Sequence, residues 1–150
     1  MSFWSAWPPR CGPGCCCWAI DPAGHTLTAL DFVAPAIRCG RIVDLDLKAV
    51  TLALGALGQS PGLIVVNIAP QSVMRPFFQC QLVALLAANP AVAPRLCLEV
   101  QEQNLAGDST QVMATLCRVV APFGCAVGID HFGITLTALP VLASPGVRYL

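Results

Sequence analysis

The chain has 150 residues, of which 56% are hydrophobic and only 11% charged, and its mean hydropathy is +0.70. Eight basic residues balance eight acidic ones, and no basic patch is visible, which removes the electrostatic footing that a nucleic-acid polymer requires. A spanning helix is excluded in turn: residues 49–74 carry no charge, but Gly55, Gly58, Pro61, Gly62, Asn67 and Pro70 interrupt them, and no run of about 20 apolar helical residues survives.

Residues 1–18, MSFWSAWPPRCGPGCCCW, fit no periodic template, and an irregular leader is expected over 1–19. It has neither the basic start nor the apolar core of a signal peptide. A turn, DPAG, follows at 21–24. Residues 27–39 are expected as a loop with a short helical piece. From Asp44, a candidate N-cap, the positions Leu47, Val50, Leu54 and Leu57 keep one apolar face, and Gly58 marks the stop. The first clear strand is 63–68. One helix is expected over 71–88, with Val73, Phe77, Leu82 and Leu85 turned inward and Pro76 in its first turn. A strand at 95–100, a helix at 110–121, a strand at 126–130, a short helix at 136–143 and a last apolar start at 147–150 complete the reading.

Cysteine is abundant, at nine residues. Cys97 and Cys125 lie in strand runs and Cys80 and Cys117 on helices, where small buried thiols are common. Cys11, Cys15, Cys16 and Cys17 cluster, but without paired CxxC spacing, and three adjacent cysteines cannot all face one ion. The composition is that of a cytoplasmic chain with reduced thiols.

The strands at 63–68, 95–100 and 126–130 are near-continuous apolar runs, as expected of parallel strands buried on both faces. They lead to Asn67, Glu99 and Asp130, which are 32 and 31 residues apart. About 30 residues is the length of one strand–helix–strand repeat. Repetition of that unit brings the C-terminal strand ends to one rim, where α/β barrels and doubly wound sheets place their chemistry. The fold class is therefore α/β, with parallel strands and outer helices. An Asn, a Glu and an Asp on adjacent strand ends form an oxygen-rich set suited to Mg²⁺, Mn²⁺ or Ca²⁺. The alternative is that these side chains cap loops and following helices. The chain's only two glutamates, Glu99 and Glu102, both follow the second of these strands.

Three ordered segments carry a family resemblance. VNIAPQSV at 66–73 resembles the VNxS stretch of the bacterial EAL family. LEVQE at 98–102 resembles its LExTE segment, and GIDHFGITLTAL at 128–139 its IDDFGTGYSSL segment. The helix from Gly40 to Leu57 also resembles the one after that family's first strand. The resemblance covers residues 20–150 and implies a TIM-type (β/α)₈ barrel, of which this chain spans roughly the first half. It also implies a metal-dependent cyclic-di-GMP phosphodiesterase lineage, with Asn67, Glu99 and Asp130 as metal ligands and Glu102 and His131 supporting them.

The departures are specific. Where the family has a signature glutamate and a phosphate-binding arginine, residues 14–18 read GCCCW, and His131 replaces the second aspartate of the DDFG pair. The family's catalytic lysine is expected just past Leu150. The resemblance thus points to a degenerate, truncated domain in cyclic-di-GMP signalling, with no catalysis and only weak Mg²⁺ or Mn²⁺ binding. The alternatives are a fragment of an active enzyme and a non-functional gene fragment. His131 reads otherwise as a polar rim residue, His25 as a solvated turn residue, and Gln71 and Ser72 as helix caps. Arg75 and Arg148 are the cations best placed to approach a phosphate, or else they face solvent. Half a barrel leaves an open sheet edge and a bare interior face, so self-association or a covering partner is expected.

Overall fold

A computed structural model describes residues 18–20, 23–101, 109–130 and 147–149. They fall into two compact units, Met1–Ile42 and Val43–Leu150.

In the first unit, β1 (Trp18–Ile20) pairs antiparallel with β2 (Thr26–Thr28), so Trp18 already lies in a strand where an irregular leader was expected. Helix α1 (Ala29–Arg38) extends over most of the segment expected as a loop with a short helical piece. Its start is fixed by Asp31, whose carboxylate accepts hydrogen bonds from the Thr28 amide (2.7 Å) and the Thr28 hydroxyl (2.8 Å). Those bonds hold the Asp31 carboxyl below its usual range. Pro35 lies inside the helix, a residue that ordinarily disfavours a helix interior.

The second unit is built on a parallel sheet in the order β3-β4-β5-β6, comprising Ile64–Asn67, Leu96–Gln101, Ala126–Asp130 and Val147–Tyr149. The three strands expected from the sequence are present, adjacent in the expected order, and every pairing is parallel. Between them run α2 (Ile42–Gln59), α3 (Pro70–Val73), α4 (Pro76–Ala87) and α5 (Ser109–Val120).

Strand residues alternate between the two faces of the sheet. Val66, Leu98, Val100, Val127 and Ile129 share one face, and all are buried in the main core. Against them pack Val50, Ala53, Leu54 and Leu57 of α2, Phe78, Leu82 and Leu86 of α4, and Met113 and Leu116 of α5. Among the described residues no helix is long and apolar enough to cross a membrane.

The expected helix over 71–88 is two helices. Pro76 disfavours a helical residue before it, and Arg75 is extended, at φ −90° and ψ 122°. Pro76 thus opens α4 rather than sitting in the first turn of a longer helix. The break also rotates the inward face: Phe78, Leu82 and Leu86 are buried, whereas Phe77 is 59% exposed and Leu85 only half-buried. Cys80 is exposed, contrary to expectation, while Cys97, Cys117 and Cys125 are buried. Nor is the opposite face of the sheet bare at its middle, since Cys97 is fully buried and Ala126 nearly so.

Two polar groups tie the layers together. The Arg95 guanidinium, just ahead of β4, donates to the carbonyls of Leu57, Ser60 (2.9 Å) and Gly62 (3.3 Å), closing the C-terminal end of α2. The Asp46 carboxylate, only 6% exposed on α2, accepts the Ala69 amide at 3.1 Å. Burial pushes its pKa up to about 6, and the Ser72 hydroxyl and the Ala69 amide offset only part of that effect.

Two outcomes are expected. Arg95→Met keeps the aliphatic stem but removes the donor to the Leu57, Ser60 and Gly62 carbonyls, and should cost about 2 kcal/mol in chemical denaturation. For Asp46, the folded pKa lies above the unfolded one, so the neutral acid favours the fold. That contribution is complete below about pH 4 and is lost as pH rises through about 6. Asp46→Asn should therefore match the parent in urea stability at pH 4 and exceed it by about 2–3 kcal/mol at pH 7. Equal stability of the two proteins at both pH values would contradict the assignment.

Candidate functional site

The register of the sheet decides which of the sequence-predicted site residues meet. Asn67, the last residue of β3, is the direct Cα partner of Glu99 on β4. Glu99 in turn partners Gly128 on β5. One row further on, Gln101 partners Asp130, the last residue of β5. β4 continues two residues beyond Glu99, to Gln101, one residue past the end expected at 100. Asn67 and Glu99 thus share a row, and Asp130 stands two residues, about 6.6 Å, further along the strands.

The lateral position of Glu99 is set by a missing side chain. A Cβ at residue 128 would lie 2.8 Å from Glu99 Cγ and 3.0 Å from its Oε1. Glycine at 128 is therefore what lets the Glu99 side chain lie across β5, towards the strand that ends in Asp130. Asn67 is exposed and Glu99 is half-buried, so neither carries the desolvation cost of a core carboxylate or amide. Both belong to the face opposite the apolar core layer.

The surroundings limit the chemistry. The Cys97 thiol, two residues before Glu99 on the same face, is pushed up to about 12 by burial first, then by the charge of Glu99, then by Cys125. Cys125, whose thiol donates to the Ala93 carbonyl at 3.0 Å, is pushed up to about 11 by burial. Both stay protonated near neutrality, which removes them as free thiolate nucleophiles. Among the described residues no three His, Cys, Asp or Glu side chains gather as a metal-holding group. The donors brought together are one amide oxygen and one carboxylate, a hard-oxygen pair of the kind Mg²⁺ or Mn²⁺ accepts. Glu102, His131 and the Cys11–Cys17 cluster lie outside the described residues, as do Arg148's side chain and that of Asp130. Arg75 is exposed.

Sequence reading missed the group that holds this row in place. Directly after Asn67, the Ile68 amide donates to the Glu99 carbonyl at 2.7 Å, and the Ala69 amide donates to Asp46. Ser72, read as a helix cap, is instead fully buried, and its hydroxyl acts on the Asp46 carboxyl rather than on a helix end. The α3 N-cap is Ala69, which has no side-chain oxygen to offer. The signal for Asp46 was available: it stands four and seven residues before Val50 and Ala53, on the apolar stripe of α2 rather than its solvent side.

The EAL domain family matches the chain over residues 15–150. Solved structures agree on the fold. The FimX EAL domain from Pseudomonas aeruginosa, bound to c-di-GMP, superposes with a TM-score of 0.77 at 18% identity, covering 87% of this chain and 54% of that one. Vibrio cholerae LapD, as an S helix-GGDEF-EAL chain in its apo form, gives 0.73 at 21% identity, covering 83% and 31%. Klebsiella pneumoniae BlrP1, in a manganese and cyclic-di-GMP complex, gives 0.60 at 24% identity, covering 83% and 32%. The chain thus spans between a third and about half of the length of these structures. No curated protein matches it in sequence. With the family matched over nearly the whole chain, and the parallel sheet and outer helices of a partial TIM-type barrel in place, the protein belongs to the EAL domain family.

Proposed function

We propose that this chain works in cyclic-di-GMP signalling as a non-catalytic EAL domain, one that binds the nucleotide or regulates a partner rather than hydrolysing it. The observation that carries the reading is the Asn67–Glu99 row at the strand ends, retained in a chain with no acidic residue before Asp21. FimX and BlrP1 are solved with cyclic-di-GMP bound, which supports that nucleotide as the ligand class. Asn67, Glu99 and Asp130 would hold Mg²⁺ or Mn²⁺, with Glu102 and His131 beside them. Such an ion supplies charge stabilisation at a phosphodiester oxygen. With no glutamate at 14–18 and histidine at 131, the donor set loses anionic ligands, and weak metal binding follows. A second reading, a piece of an active phosphodiesterase, is favoured by the chain's spanning 54% of the FimX structure.

Calorimetry with Mn²⁺ and with cyclic-di-GMP, beside chromatographic analysis of the nucleotide, tests the proposal. Expected are a weak Mn²⁺ isotherm that Glu99→Ala abolishes, nucleotide binding, and no linear dinucleotide. Mn²⁺-dependent turnover abolished by Asp130→Ala would establish the catalytic reading instead. Absence of both binding events would leave a fold without this function.

The same reading expects self-association or a covering partner. β3 is an edge of the described parallel sheet, Leu63 before it is 49% exposed, and an exposed edge pairs readily. With 11% charged residues, little surface charge opposes contact. Size-exclusion chromatography with light scattering should show a dimer or larger species. A monodisperse monomer of 15.7 kDa would exclude it.

A further inference from the structure

The turn that carries Asn67 is held from two sides. One hold belongs to the sheet, from the Ile68 amide to the Glu99 carbonyl at 2.7 Å. The other comes from 23 residues earlier, where Asp46 on α2 accepts the Ala69 amide at 3.1 Å. Asp46 is 6% exposed, Ser72 is fully buried, and both stand among apolar side chains. A carboxylate in such a place costs the fold stability near neutrality. Leucine or alanine would suit the stripe of Val50, Ala53 and Leu57 better. Nothing in the packing of α2 calls for the charge. What the carboxylate does is accept the Ala69 amide, two residues beyond the proposed ligand Asn67.

We propose that Asp46 is a positioning residue for the strand-end site, fixing the turn on which Asn67 stands through the Ala69 amide. The inference rests on the metal-binding reading above for its purpose, but its structural content is independent of it. Asn67 and Glu99 share a row because β3 ends where it does. The Ile68 bond fixes that ending in the plane of the sheet, and the Asp46 bond fixes the direction in which the chain leaves it. Without Asp46, Ala69 has no side chain to cap α3, its amide is left unpaired, and the turn is free to rotate about its remaining hold.

The test compares Asp46→Asn, which keeps an oxygen that can accept the Ala69 amide, with Asp46→Leu, which does not. Asp46→Ala substitutes should the larger side chain prevent folding. Amide hydrogen exchange in the metal-free protein is the first readout. Residues 67–74 should exchange about ten-fold faster in the leucine variant, the equivalent of one lost buried hydrogen bond. At pH 4, where Asp46→Asn is expected to match the parent in global stability, they should exchange as in the parent in the asparagine variant, with the β4 and β5 amides loosened in neither. Mn²⁺ titration is the second: about ten-fold weaker binding in the leucine variant, and parent-like binding in the asparagine variant. Parent-like exchange in Asp46→Leu, or equal loosening in both variants, overturns the proposal. A parent protein that binds no Mn²⁺ overturns the metal reading alone, because the exchange comparison still decides the role of Asp46.

Discussion

Everything in the larger unit depends on one constraint, the in-register parallel pairing of β3, β4 and β5. Because successive strand residues face opposite sides, fixing the register also sorts the side chains. One set, Val66, Leu98, Val100, Val127 and Ile129, faces the helices and forms the core. The other set places Asn67 beside Glu99 and Glu99 over Gly128. A slip of one residue would send the carboxylate into the apolar layer and a valine out of it. The core therefore defends the geometry of the strand ends.

That constraint explains what the sequence revealed. Continuous apolar runs flanked by Gly and Pro announced the strands, and the repeat of about 30 residues announced their parallel order. Helix detail was less legible. The split between α3 and α4 turns on the backbone of Arg75 ahead of Pro76, and it decides that Phe78 rather than Phe77 is buried. Those two phenylalanines are adjacent and chemically alike, so only the phase of the helix separates them. Helix α1 carries Pro35 in its interior, and the Thr28–Asp31 capping pair signals its start.

Tertiary hydrogen bonds were the least legible of all. Neither Arg95 nor Asp46 stands out in the sequence, where Arg95 only opens an expected strand and Asp46 only follows the candidate N-cap Asp44. The structure gives each a partner 23 to 38 residues away. Both bind main-chain groups rather than opposite charges, so no pattern of paired signs could have exposed them. Buried polar groups are satisfied somewhere as a rule. The useful sequence question is therefore which charged residue falls on an apolar stripe, and Asp46 answers it.

The division of the sheet also separates what the fold requires from what the strand ends carry. Neither Asn67 nor Glu99 belongs to the apolar layer that α2, α4 and α5 cover. Replacing an acid at a strand end or in a loop removes no buried methylene and opens no cavity, the two changes that cost several kcal/mol. If anything it relieves repulsion among carboxylates crowded for a cation. Selection on folding alone would then leave the helix-facing residues intact while the rim residues drift. Asn67, Glu99 and Gly128 nevertheless stand in one row of the sheet. Gly128 in particular weakens a strand by its backbone freedom, and its placement under Glu99 is a cost that stability by itself does not explain.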